Sequence, residues 1–111
     1  MKLWQIAHAR SGDKGTISNI SLIAFHPRDY ALLVRHVTAA RVRALFAGHV
    51  TGEVRRYELP SIGALNFVLY GMADGGVTRT LALDAHGKSL SSALLDMEIP
   101  DDDDTRRTIP S

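Results

Sequence analysis

The stretch Arg10-Ser11-Gly12-Asp13-Lys14-Gly15 puts a hydroxyl, a carboxylate, two cations and two glycines within six residues. Three kinds of chemistry suit such a set. Ser11-Gly12-Asp13-Lys14 fits Ser-x-x-Lys, which supplies a nucleophile and a base where the spacing is one helical turn. Two glycines predict a turn here instead, and the companion motifs Ser-Asp-Asn and Lys-Thr-Gly are missing. Alternatively, backbone N–H groups around Gly12 and Gly15, with the Lys14 ammonium, could hold a phosphate or carboxylate. Asp13, Lys14 or His8 could then move protons, provided that Lys14 has a depressed pKa. The plain alternative is a tight turn with a solvated lysine, the commoner use of these residue types.

Other candidates are weaker. Gly87-Lys88-Ser89 ends like a phosphate-binding loop, but Ala82 stands where that motif needs its first glycine. The histidines His8, His26, His36, His49 and His86 form no His-x-x-x-His pair, and Asp84-Ala85-His86 has no third ligand at a recognisable spacing. No metal or other cofactor is implied. Asn66 lies inside the apolar run Leu65 to Tyr70. A buried amide must find partners, so it either pins a neighbouring segment or faces a ligand. Asp101 to Asp104 lacks the spaced ligands and glycine of a calcium loop.

The elements that must position these residues belong to one domain of 111 residues. A chain of this size buries roughly 65% of the surface its unfolded form exposes, enough for a core without staples. A net charge of +1 gives no electrostatic case for nucleic acid or an anionic membrane. The absence of cysteine excludes disulfides and thiolate chemistry. Met1 to Gln5 has no apolar leader pattern and no run approaches a membrane span, so a cytoplasmic protein is expected.

Alternation predicts a strand over Leu3–Ala7, with Trp4, Ile6 and His8 on one face. Ile17–Phe25 is apolar on both parities and predicts a central strand buried on both faces, with a short helix as its rival. Pro27 opens a helix with the stripe Tyr30, Leu33, Val34 and Val37. Thr38 caps a second with the stripe Val42, Leu45, Phe46 and His49, ended by Gly48. Charged Glu53–Leu59 predicts an edge strand broken by Pro60 and Gly63, and Leu65–Tyr70 another strand. Gly71–Gly76 is expected as a loop, Arg79–Leu83 as a strand, Asp84–Gly87 as a turn, and Leu90, Ala93, Leu94 and Met97 as a helix stripe. From residue 100 onward an acidic, solvated and disordered tail is expected, which leaves residues 1–99 as the folded domain. Strands in pairs with helices between them predict an α+β sandwich, its helices on one face of a mainly antiparallel sheet.

Three segments together resemble a known family. They are His8-Ala9-Arg10-Ser11-Gly12-Asp13-Lys14-Gly15 with Ser18-Asn19-Ile20; Tyr57-Glu58-Leu59-Pro60 with Ala64-Leu65-Asn66-Phe67-Val68-Leu69; and Thr80 to Lys88 with Ala93 to Ile99. The pattern is similar to the C-terminal domain of acyclic terpene utilisation protein A, the AtuA-like family, over roughly residues 3 to 99. The resemblance implies a ferredoxin-like α+β fold. It also implies a small domain fused to, or encoded beside, a much larger one, in the breakdown of branched acyclic acids as coenzyme A thioesters. It carries over no catalytic residues. His8, Arg10, Ser11, Gly12, Asp13, Lys14, Gly15, Asn19 and Asn66 become candidates for a ligand site or an interface. The sequence departs at Thr16-Ile17-Ser18, where a more polar stretch is expected.

Two readings follow. One is a non-catalytic accessory subunit that docks on a large AtuA-like partner. The other is a small enzyme or acyl-coenzyme A-binding module using the Arg10–Gly15 loop. Self-association into a homo-oligomer is compatible with both.

Overall fold

The computed structural model describes residues 1–72 and 90–100. Four strands, β1 (Ala7–Lys14), β2 (Ile17–Ala24), β3 (Val54–Leu59) and β4 (Ala64–Leu69), form one antiparallel sheet in the order β1-β2-β4-β3. Two hairpins thus meet along β2 and β4. Between them run α1 (Tyr30–His36) and α2 (Ala39–Leu45), and α3 (Leu90–Leu95) follows later. The α+β sandwich expected from the sequence is the observed fold, and all three helices pack on one face.

Register decides which residues that face receives. Directly opposed residues of paired strands project to the same side of a sheet. Ile20 faces Phe67, Leu22 faces Leu65, and Val54 faces Leu69. These side chains meet Leu32, Leu33, Val37, Val42, Phe46 and Leu94 from the helices in one apolar cluster. Its central members are fully buried, and truncating Phe67 to alanine would cost about 3–5 kcal/mol.

Helix ends follow local chemistry. Thr38 Oγ1 accepts from the Arg41 amide at 3.1 Å, the N-cap expected for α2. Pro27 opens a 3₁₀ turn that leads into α1. Arg56, on the helix side of β3, donates to the carbonyls of Val34 at 2.8 Å and Val37 at 3.1 Å, satisfying the C-terminal end of α1. Lys2 and Glu98 form an antiparallel bridge, with Leu3 N–H donating to Met97 O and Ile99 N–H to Met1 O.

Several local expectations are corrected. Leu3–Gln5 is a 3₁₀ turn rather than a strand, because Leu3 and Ile6, three residues apart, both enter the core, which strand alternation does not allow. β2 is central as expected but buried on one face only, so Ile23 is half-buried and Phe25 exposed. α2 stops at Leu45, and Gly48 does not adopt the left-handed cap conformation. The segment Arg10–Lys14 is strand, not turn. Pairing with β2 along its whole length overrides the local turn preference. Only Gly15 and Thr16 turn, as a two-residue hairpin connection. Gly15 has φ +64° and no other residue of that turn is left-handed, the pattern of a glycine-first type II′ turn. The expected Arg79–Leu83 strand, the Asp84–Gly87 turn, the Gly87-Lys88-Ser89 motif and the acidic tail lie outside the described residues, with the exception of Pro100. Among the described residues no helix is long and apolar enough to cross a membrane.

Candidate functional site

Strand parity splits the Arg10–Gly15 motif in two. Ser11 lies opposite Ile20 and Asp13 opposite Ser18, so both belong to the helix side, where the outer end of β1 leaves them exposed. His8, Arg10, Gly12 and Lys14 project from the other face. A nucleophile and base three residues apart on a strand point to opposite faces, so Ser11 and Lys14 do not meet. Asp13 and Lys14 are separated in the same way. His8 and Lys14 share a face but stand six residues apart, roughly 20 Å along a strand. Neither the anion-binding loop nor a proton-handling trio forms, because the segment that would bend around a ligand is extended.

The motif residues instead build a surface on the side away from the helices. Its central row runs across all four strands: Arg10 opposite Ser21, Ser21 opposite Asn66, Asn66 opposite Tyr57. The Asn66 amide donates to Ser21 Oγ at 2.9 Å. Asn66 therefore pins a neighbouring strand by its side chain, the first of the two readings left open for it. A second row sets Gly12 opposite Asn19, Asn19 opposite Val68, and Val68 opposite Arg55. A methyl group on Gly12 would touch only Asn19 Oδ1, at 3.9 Å, so the strand does not require glycine for space. A third row carries His8, Ile23, Ala64 and Leu59. The His8 ring stacks on Phe25, centroids 5.4 Å apart and planes 22° apart.

Large apolar side chains share this face. Tyr57 is 44% exposed, Ile17 42% and Leu59 40%, with Ile23 and Val68 half-buried beside them. Phe25 and Ile62 are more exposed still, Ile62 in the β3–β4 connection. Four strands of six to eight residues project an area on the order of 450 Å².

The charges on this side are uneven. Arg55 is held by Glu53, Nη2 to Oε1 at 2.9 Å, and its guanidinium lies over the Tyr70 ring at 5.6 Å. The hydrogen bond to Glu53 raises the affinity of Arg55 for its proton further. Arg10 and Lys14 are exposed and make no ion pair with another described residue. No three His, Asp or Glu side chains converge among the described residues.

Sequence reasoning placed His8, Arg10, Gly12, Lys14, Asn19 and Asn66 among the candidates, and the register brings all six to one face. It missed Ser21, Arg55 and Tyr57 as their neighbours. The available signal was Ser21 as a lone hydroxyl between Ile20 and Leu22. The residue at Thr16 contributes through backbone: its carbonyl accepts from the Met72 amide at 2.8 Å, tying the hairpin turn to the end of β4.

The family model for the AtuA ferredoxin-like domain matches residues 1–100 of the chain. Neither the curated proteins nor the solved structures yield a match.

Proposed function

We propose that this chain, which belongs to the AtuA ferredoxin-like domain family, is a non-catalytic accessory subunit. It docks its open sheet face on a large AtuA-type protein that acts in the catabolism of branched acyl or terpene-derived compounds. One observation carries the reading: His8, Arg10, Gly12, Lys14, Asn19 and Asn66 lie on the same face of one sheet as the exposed apolar side chains Ile17, Tyr57 and Leu59. The family description itself points to a larger AtuA protein as the body to which such a domain belongs.

The physical argument is one of desolvation. Exposed apolar side chains gathered on one face of a folded domain, with polar groups between them, favour an interaction surface there. The sheet face alone is about half of the ~800 Å² that one partner contributes to a stable complex. Its flanks, Phe25 and Ile62, supply further apolar area. The residues that could have handled protons are dispersed over two faces and along one strand. An interface has no need of their convergence, whereas an active site does.

Purification of the tagged chain from its host, with identification and quantification of what accompanies it, tests the reading. A large AtuA-type protein is expected in near-equal amount. Recovery of the chain alone at micromolar concentration would contradict it.

A further inference from the structure

We infer that the partner surface covering this face presents a carboxylate side chain to Arg10, at the β1 end of the central row. This rests on the docking reading above and names the chemistry of what docks.

The centre of the face is built as a cluster of donors. Asn66 Nδ2 donates to Ser21 Oγ at 2.9 Å, which leaves the Ser21 hydroxyl hydrogen free to point elsewhere. The second hydrogen of the Asn66 amide is also available. Arg10 stands directly opposite Ser21, so its side chain leaves the sheet beside that pair and its guanidinium is within reach of it. An Arg fork, a hydroxyl and an amide N–H, side by side on adjacent strands, match the two oxygens and four lone-pair sites of a carboxylate. Ile23, Val68 and Tyr57 stand around them and exclude water once covered.

Charge complementarity gives the sign. Glu53, just before β3, lies beside this face, and Arg55 already holds it at 2.9 Å. Arg10 and Lys14 have no acid of their own on this side among the described residues, so the face awaits negative charge from outside. Among the described residues, the same face of a second copy brings only Glu53, which its own Arg55 already holds. Pairing two such faces would gather both copies of Arg10 and Lys14 in one apolar contact, where unpaired cations are strongly disfavoured.

A free small carboxylate is the poorer occupant. On an open sheet face it stays in contact with water, and an exposed ion pair contributes little. A protein surface that covers Ile17, Tyr57 and Leu59 at the same time removes the water and strengthens the Arg10 contact.

The test uses the full chain and the large AtuA-type protein of the same genome, both purified, with binding followed by calorimetry. Three forms are compared: wild type, Arg10→Glu and Arg10→Lys. Arg10 is exposed, so circular dichroism melts of the variants should match wild type. Arg10→Glu is expected to weaken binding by at least about thirty-fold, and Arg10→Lys by clearly less, because lysine retains the charge but loses the fork. If wild type binds and Arg10→Glu binds equally well, the carboxylate inference falls while the docking reading stands. If wild type itself does not bind, the docking reading falls and takes this inference with it. Wild-type self-association in place of binding, abolished by Arg10→Glu, would also overturn it.

Discussion

Asn66 and Ser21, 45 residues apart in sequence, are joined by a 2.9 Å hydrogen bond across the two central strands on the face that the helices leave open. The bond links the two hairpins by their side chains where the ladder already links them by backbone. Asn66→Ala is expected to cost about 1 kcal/mol, the usual net worth of a neutral hydrogen bond. Chemical denaturation of both forms measures it. An unchanged midpoint would show that the pair does not brace the sheet.

Arg56 is placed to matter more for stability than its exposed neighbours on β3. Its guanidinium reaches two carbonyls at the end of α1 and Glu58 at 3.1 Å. Arg56→Met removes charged donors from half-buried acceptors and is expected to cost about 2 kcal/mol, read as a shifted denaturant midpoint. Arg56→Lys should recover only part, since one ammonium cannot serve the carbonyls and Glu58 together as the two guanidinium nitrogens do. Full recovery by lysine would contradict the capping role.

Two glycines give opposite expectations. Gly71 has φ +70°, and an added methyl would lie within 3 Å of Thr51 Oγ1 and the Gly52 amide nitrogen. Gly71→Ala should destabilise by more than about 1 kcal/mol. Gly48 has ordinary backbone angles and open space around it. Gly48→Ala should be neutral or stabilise by about 0.5 kcal/mol, through the unfolded chain. Thermal melts of the two single variants distinguish them, and equal effects would refute the assignment.

The outline of the fold was legible because long-range burial leaves its mark in apolar spacing. The 3.6 period of Leu33 and Val37, the Thr38 cap and the Pro60 break all read correctly. The motif was misread at one point. Gly12, Ser11 and Asp13 have strong local turn preferences, and only pairing with β2 makes the segment extended. Local chemistry does not report a cross-strand ladder. Burial of β2 was overestimated for a related reason: Ile23 and Phe25 read as core residues, and an open apolar strand face looks the same as a core face in sequence. The candidate site was legible as a set of residues but not as a surface, because the surface exists only once parity and register are known.

Glu98 sets a pH dependence. Its carboxylate is hydrogen-bonded to the Met1 amine, which holds its pKa below the usual glutamate value. A depressed carboxylate contributes stability that is fully present above its unfolded pKa and lost as pH falls through its folded one. The melting-temperature gap between wild type and Glu98→Gln should therefore be constant near neutrality and shrink below the ordinary glutamate range of about 4.3. A gap that widens in acid would reverse the sign and refute the pairing.

The central claim concerns which face is covered. Tyr57 and Leu45 are comparably exposed, 44% and 40%, on opposite sides of the sandwich. Hydroxyl-radical footprinting of the chain, free and in complex with the large AtuA-type protein, compares them directly. Strong protection of Tyr57 with unchanged labelling of Leu45 is the predicted result. Protection of Leu45 with Tyr57 still fully labelled would contradict the account.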